Sequence, residues 1–237
     1  SAGESMEIKL PKVENVKEGE KISNGVVAYA SESNFSNSVQ ATEDGGVRMT
    51  TIIDDPSAPT EYEYEIGVEG QYVLREAINQ DGKKGVLVFS DNTDEAEILK
   101  VINPAWAKDA EGNEVETYFE IRDNKLIQVV KHNVEGVVYP VTADPYVEYR
   151  WWGFIDWYKR RETFHIARAL SVASSAAGAV IGSLGGGLAG AGVGAGIGTY
   201  IGDWGWSVYD RGNCLAASYT WTGQLTWMWE WRNRHCW

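Results

Sequence analysis

The chain is poor in the residue types that build metal and redox centres. It has two cysteines and three histidines among 237 residues, which leaves little material for a metal site. Carboxylates cluster at positions 54–55 and 91–97, but they lack the Asp-x-Asp-x-Asp-Gly spacing of a calcium loop. We therefore expect no metal and no cofactor.

Motifs of catalysis are absent as well. The sequence has no GxSxG, HExxH or Walker pattern, and no GxGxxG pattern at a place where a strand leads into a helix. The chain is therefore not expected to be an enzyme. A secreted hydrolase is an alternative that would require His132 or His165 to meet carboxylates in a cleft.

Basic residues are scarce in the first part of the chain. Residues 1–145 hold 28 acidic and 13 basic side chains, whereas residues 146–237 hold 6 and 8. Clustered Lys and Arg are needed to bind phosphate backbones, so we expect no nucleic-acid partner. Ten of the 11 tryptophans and 15 of the 26 glycines lie in the second part. This break predicts two domains, 1–145 and 146–237.

Short β-rich runs separated by turn residues fill the first part. In the run 61–66 tyrosine and isoleucine alternate with glutamate, as in an antiparallel strand with one buried face. The predicted strands cover residues 26–30, 47–53, 62–68, 71–75, 85–89, 98–102, 115–121, 125–130 and 137–141. They predict an antiparallel, β-sandwich-like domain at the start of an α+β chain, and the alternative is an open barrel with one short helix.

An uncharged segment of 34 residues, 169–202, dominates the second part. It exceeds the roughly 20 residues that one membrane-spanning helix needs. On a helix, glycine at every fourth position forms a groove where another backbone can approach closely. Because glycine costs about 0.8–1 kcal/mol relative to alanine in a helix, close packing or a membrane must compensate. The glycines with this spacing are Gly178, Gly182, Gly186, Gly190, Gly194, Gly198 and Gly202.

A helical hairpin is predicted over residues 163–209. The glycines at 185–187 would break the segment into two arms, 163–184 and 188–209, each about long enough to cross a bilayer. One alternative is a hairpin buried inside a soluble protein, which would suit a state before activation. Another is a flexible Gly-rich linker, which the content of Ile, Val and Leu disfavours.

Aromatic and basic residues flank the uncharged segment. Aromatic side chains favour the lipid headgroup layer, and basic side chains are drawn to anionic lipid. The alternative is that the aromatic residues form a protein core. We expect a membrane-interface role for Trp151, Trp152, Trp157, Lys159, Arg160, Arg161, Trp221, Trp227, Trp229 and Trp231.

The last part of the chain predicts a Trp-rich β-hairpin over residues 214–236. Cys214 and Cys236 bracket it, and a disulfide between them would stabilise the fold by roughly 3 kcal/mol. Such a bond implies an oxidising, extracellular compartment, whereas the alternative is two free thiols in a cytosolic protein. The predicted apolar face of the hairpin holds Tyr219, Trp221, Leu225, Trp227, Trp229 and Trp231, and the opposite face includes Met228.

Three features together resemble the large precursor bacteriocins of Gram-positive bacteria, the closticin-type proteins. They are the acidic first part, the junction Val141-Thr142-Ala143-Asp144-Pro145, and the Gly-rich centre of a short C-terminal part. Residues 138–145 also resemble the end of a leader domain found on diverse secreted proteins of these bacteria. The resemblance implies that a protease removes the leader at or near Asp144 and Pro145. It also implies that the C-terminal peptide kills related bacteria by permeabilising their membranes.

The resulting hypothesis is a secreted antibacterial precursor whose leader keeps the C-terminal peptide soluble and inactive. Its expected partners are the target bacterial membrane, its own leader, a processing protease and further copies of the peptide in the membrane. Residues 1–5 show no signal peptide, so secretion would require one that is absent from this sequence. The alternative is a non-lytic cell-surface binding or assembly protein with a C-terminal membrane anchor.

Overall fold

The computed structural model describes residues 6–11, 18–23, 25–30, 34–43, 45–68, 72–91, 93, 96–148, 153–171, 195–220, 222, 224–232 and 236. In these ranges the chain is mostly antiparallel β-sheet with two helices, which fits the predicted α+β class. The strands are β1 (Met6–Lys9), β2 (Glu20–Ser23), β3 (Val26–Tyr29), β4 (Phe35–Ala41), β5 (Val47–Ile53), β6 (Glu61–Val68), β7 (Val73–Asn79), β8 (Lys84–Phe89), β9 (Ile98–Ile102), β10 (Trp106–Lys108), β11 (Thr117–Arg122), β12 (Lys125–Val130), β13 (Val141–Asp144), β14 (Tyr146–Glu148), β15 (Phe154–Trp157), β16 (Cys214–Tyr219) and β17 (Leu225–Trp231). The helices are α1 (Arg160–Ser171) and α2 (Ala195–Asp210).

The chain divides into two compact units. The first comprises Ser1–Leu74, Val86–Asn92 and Glu97–Arg150. The second comprises Arg75–Gly85, Thr93–Ala96 and Trp151–Trp237. The division is therefore not a single cut in the sequence, because a hairpin tip from the first half of the chain lies in the second unit.

Two antiparallel sheets contribute to the apolar core of the first unit. One sheet has the order β1-β6-β12-β11, and the other contains β9, β14, β5, β4, β3 and β2 in that order. β13 pairs with both β10 and β5. Side chains from both sheets enter one buried cluster, among them Tyr64, Leu126, Met49, Ile102 and Val147.

The alternation predicted for β6 is confirmed. Tyr62 and Tyr64 are buried, whereas Glu61 lies on the exposed face. There the Glu61 carboxylate pairs with Arg122 at 2.7 Å. Exposed ion pairs contribute little to stability, so burial of the aromatic face accounts for most of the stabilisation from this strand.

The strand predicted at 137–141 is wrong. The observed strand, β13, begins at Val141 and continues to Asp144. Pro140 precedes it, and a proline has no N–H group for a strand ladder. The predictions for 47–53, 98–102 and 125–130 have the observed limits.

The second unit has a four-stranded antiparallel sheet and two helices within its described residues. The strand order is β15-β16-β17-β7. α1 begins at Arg160 and α2 covers Ala195–Asp210, so parts of both predicted arms are helical. Neither helix combines the length and the apolar character that a membrane crossing needs. The predicted break at 185–187 and the glycines Gly178, Gly182, Gly186, Gly190 and Gly194 lie outside the described residues.

Candidate functional site

A disulfide closes the hairpin of β16 and β17, as predicted. Cys214 is bonded to Cys236, and both residues are fully buried. Across the ladder Cys214 lies opposite Trp231, and Ala216 lies opposite Trp229. The covalent link therefore sits on the same face of the sheet as the tryptophans.

The tryptophan face of this sheet is an aromatic cluster. Residues paired directly across a ladder share a face, which places Trp157 of β15 beside Ala216. The ring of Trp157 meets the ring of Trp229 edge-on at 5.6 Å and the ring of Trp231 at 5.2 Å between centroids. Such pairs contribute about 0.5–1.5 kcal/mol beyond the area that they bury.

The opposite face packs against the two helices. Met228 and Ala217, which are ladder partners, belong to one buried cluster with Ile166 of α1 and Ile201 of α2. The sequence prediction placed Tyr219 and Leu225 on the same face as the tryptophans, but both residues belong to this helix-facing cluster. The register of the hairpin shifts between Ser218 and Tyr219, and this irregularity interrupts the predicted period-two alternation.

Polar contacts fix the start of α1 on the sheet. Thr163 is fully buried, and its hydroxyl accepts a hydrogen bond from the Leu215 amide at 3.0 Å. The Leu215 carbonyl accepts from the Tyr158 amide at 3.0 Å and from the Trp231 indole at 2.7 Å. Glu162 caps the helix by accepting from the Lys159 amide at 2.7 Å. The contacts of Leu215 therefore link one backbone position of β16 to the start of α1 and to Trp231 of the tryptophan face.

A pair of tyrosine hydroxyls lies inside the helix-facing core. The oxygens of Tyr158 and Tyr219 are 2.6 Å apart. Burial raises the pKa of Tyr219 to about 12 and raises the pKa of Tyr158 further. Burial and the neighbouring Glu162 also raise the pKa of the Asp156 carboxyl. Below pH 10 both tyrosines are therefore neutral and act as hydrogen-bonding groups.

Close backbone packing occurs where α2 meets α1. A Cβ atom at Gly202 would lie 2.4 Å from the Ser171 amide nitrogen and 2.7 Å from the Leu170 carbonyl carbon. At Gly205 the nearest atom would be the Cβ of Ala167, at 3.2 Å. Gly202 is the last member of the four-spaced series, and here it permits contact between two helices of the folded protein.

An aromatic group on the helices was not predicted from the sequence. Phe164 of α1 meets Trp206 at 5.3 Å and Tyr209 at 5.6 Å, both on α2. The Arg160 guanidinium lies 4.1 Å from the centre of the Tyr209 ring. All four side chains are partly exposed. The spacing of Trp206 and Tyr209 along one helix face was the signal that could have identified them.

The predicted membrane-interface residues do not form one surface in this conformation. Trp227, Trp229 and Trp231 are buried, and Trp157 is partly buried. The basic residues differ, because Lys159 and Arg161 are exposed. The buried tryptophans therefore form a protein core, and contact with lipid would require the second unit to open. Trp151, Trp152 and Trp221 lie outside the described residues.

The predicted processing bond lies inside the first unit. Asp144 ends β13 and is fully buried, and β14 begins at Tyr146. The Asp144 carboxylate pairs with Arg48 Nε at 2.9 Å. The Pro145 carbonyl accepts a hydrogen bond from the Met49 amide at 3.1 Å. Proteolysis at this bond would therefore require local unfolding of the first unit.

Burial makes Asp144 sensitive to pH. It raises the pKa of this carboxyl from 3.8 to about 6, against the opposing effect of Arg48. The folded state thus binds the proton more tightly than the unfolded state. The stabilisation is complete below pH 3.8 and is lost as the pH rises through 6.

We expect Asp144→Asn to remove this pH dependence. Two pKa units correspond to about 3 kcal/mol. Because of this carboxyl group, the free energy of unfolding of the wild-type first unit should fall by up to that amount between acidic and neutral pH. Urea unfolding at several pH values measures the loss. Asp123→Asn changes an exposed carboxylate of the same unit and should leave the wild-type profile in place. An unchanged profile in Asp144→Asn would contradict the assignment.

The two histidines considered as catalytic candidates make contacts that support the fold. His132 is fully buried, and its ring nitrogens lie 3.0 Å from the Tyr139 hydroxyl and 3.0 Å from the Pro59 carbonyl. The ring of His165 packs against Phe164. Within the part of the chain that the structure describes, no three His, Cys, Asp or Glu side chains are grouped to hold a metal ion.

Comparison with known proteins identifies no similar protein. No protein-family model, curated protein or solved structure matches the chain. The features that bear on function are therefore those of the molecule itself: the disulfide-closed hairpin, the two helices and the uncharged segment 169–202, which runs from α1 into α2.

Proposed function

We propose that the chain is a secreted antibacterial precursor of the closticin type, in the form that precedes activation. The observation that supports this proposal most strongly is the burial of Trp227, Trp229 and Trp231. An active peptide would expose these side chains to lipid. The precursor instead covers them with protein, which would keep the peptide soluble.

The proposed organisation assigns a role to each unit. The leader, residues 1–145, forms most of the first unit, which is sandwich-like. The C-terminal peptide, residues 146–237, forms most of the second unit and combines a helical hairpin, in which glycine recurs at every fourth position as a Gly zipper, with the disulfide-closed, Trp-rich β-hairpin. The 34 uncharged residues, 169–202, run from the end of α1 into α2 and supply the apolar length for insertion. The glycine spacing would let helices of several copies pack closely in lipid, so the active form is an oligomeric pore.

The disulfide supports an extracellular site of action. A buried Cys214–Cys236 bond persists in an oxidising compartment. When the unit opens, the same bond would keep the two strands of the hairpin together. The tryptophans would then reach the headgroup layer as one group, with Lys159 and Arg161 attracted to anionic lipid.

Dye leakage from vesicles tests the proposal. A recognition sequence for a specific protease is inserted between Glu148 and Gly153, and the purified chain is cut. The fragments are separated in urea without reductant and diluted into vesicles rich in phosphatidylglycerol. The C-terminal fragment should release dye, whereas the uncut chain should not. The N-terminal fragment from the same column is the matched control. A silent C-terminal fragment would favour the anchored surface protein instead.

A further inference from the structure

A strand from the first half of the sequence completes the sheet of the second unit. β7 pairs with β17, with Ala77 opposite Trp229 and Ile78 opposite Met228. Both Ala77 and Ile78 are buried, and Ile78 is a member of the helix-facing core. The pairing therefore supplies backbone hydrogen bonds and a core side chain together.

Side-chain contacts extend this pairing at both ends of β7. The Gln224 side-chain amide donates to the Gln80 side chain at 2.9 Å. The Arg75 guanidinium donates to the Glu230 carbonyl at 3.4 Å. Residues 75–80 thus contact β17 and the adjoining Gln224, over a longer stretch than the three ladder pairs alone.

The first unit likewise contains a strand from the other part of the sequence. β14, from the second part, completes the sheet of the first unit. Val147 lies between Val47 of β5 and Ile102 of β9 and is fully buried. The Asn103 amide donates to the Tyr146 carbonyl at 2.9 Å. A cut at Asp144–Pro145 would therefore separate β14 from the preceding chain without removing its hydrogen bonds.

We propose that the edge of β17, with the core position that Ile78 fills, is a strand-binding site whose ligand is residues 75–80 of the leader. Addition of a strand to a sheet edge is a general mode of peptide recognition, in which backbone hydrogen bonds supply affinity and side-chain pockets supply specificity. The cut protein is then a non-covalent complex of leader and peptide. Under the proposed function, on which this role depends, withdrawal of β7 is an activation step separate from proteolysis.

The consequence for the released peptide follows from the same geometry. Without β7, β17 becomes an edge strand with unpaired backbone groups, and the core loses the side chain of Ile78. The peptide alone therefore lacks one strand of its own sheet. Loss of the strand thus destabilises the arrangement that buries Trp229 and favours opening of the unit.

The test uses the full chain with the protease sequence between Glu148 and Gly153, folded first and cut afterwards. This cut leaves β14 with the leader, so the association of the two fragments depends on the leader segments of the second unit, Arg75–Gly85 and Thr93–Ala96. The variants of Ile78 isolate the share of β7. Size-exclusion chromatography and native mass spectrometry of diluted samples measure that association. The fragments of the wild-type chain should migrate as one complex. Fragments that separate without denaturant would overturn the proposal.

Variants of Ile78 show whether β7 holds the complex. Ile78→Asp should separate the fragments after cutting, while Ile78→Val should keep them together. Ile22→Asp is the matched control, because Ile22 lies on β2 and is 60 % exposed. If Ile78→Asp does not fold before cutting, Ile78→Ala replaces it and should raise the dissociation constant of the fragments at least tenfold. An Ile78→Ala complex as tight as that of Ile22→Asp would overturn the proposal.

These measurements are independent of membrane activity. Fragment association is measured without lipid, and dye leakage is measured on fragments already separated in urea. Paired fragments with a silent C-terminal fragment would contradict the proposed function and leave the strand-binding site intact. Unpaired fragments with an active C-terminal fragment would contradict only the strand-binding site.

Discussion

The Gly202→Ala variant is expected to lower the free energy of unfolding of the second unit by about 2–3 kcal/mol. The added methyl group would lie 2.4 Å from the Ser171 nitrogen and 2.7 Å from the Leu170 carbonyl carbon. Both neighbours are backbone atoms, so α1 and α2 must move apart. Alanine favours a helix over glycine by about 1 kcal/mol, and the steric cost is expected to exceed that gain. Urea unfolding followed by tryptophan fluorescence measures the change.

Gly205→Ala is the matched control for this experiment. It makes the same substitution on the same helix, but its methyl group would meet the Ala167 side chain at 3.2 Å. A shift of a few tenths of an ångström relieves that contact. The expected change is within about 1 kcal/mol of wild type. Equal destabilisation of both variants would mean that close packing at Gly202 has no special role.

Removal of the disulfide is expected to destabilise the second unit by about 3 kcal/mol. The bond joins residues 22 positions apart and restricts the unfolded chain over that loop. Cys214→Ala combined with Cys236→Ala removes it without leaving a free thiol. Tryptophan fluorescence is a suitable probe, because Trp106 is the only tryptophan before residue 151.

Reductant distinguishes loss of the bond from loss of side-chain volume. Dithiothreitol should lower the stability of the wild-type protein by a similar amount and leave the double variant unchanged. If the double variant is as stable as the oxidised wild type, the bond contributes nothing to the fold. If the double variant still responds to reductant, the effect does not come from this cysteine pair.

The sequence predicted best those elements whose signal is local. The alternation in β6 correctly placed Tyr62 and Tyr64 in the core. The proximity of Cys214 and Cys236 correctly predicted their disulfide. In both cases the pattern and its structural cause lie within a short stretch of chain.

Elements that depend on distant partners were missed. β4 contains Ser36, Asn37 and Ser38, which do not suggest a strand. Asn37 is nevertheless buried, and its side-chain oxygen accepts a hydrogen bond from the Thr51 hydroxyl at 3.0 Å. Pairing of β7 with β17 is another case, since nothing in residues 73–79 identifies a partner about 150 positions later.

The sequence predicted which residues form the tryptophan face of the candidate site, but it did not predict that they are buried. The tryptophans of β17 were expected on one face, and Trp227, Trp229 and Trp231 do share it. Their burial depends on the rest of the unit, which no local pattern encodes. The interface role assigned to them therefore stays a prediction for an opened form of the protein.

The proposal of an inactive precursor with a membrane-permeabilising C-terminal peptide is tested by dye release from anionic vesicles. The uncut chain and its separated C-terminal fragment are compared at equal concentration. We expect no release by the uncut chain and by the N-terminal fragment. We expect rapid release by the oxidised C-terminal fragment, and weaker release from vesicles without anionic lipid. Equal release by the uncut chain and by the separated C-terminal fragment would contradict an inactive precursor. No release by any fragment would contradict membrane permeabilisation itself.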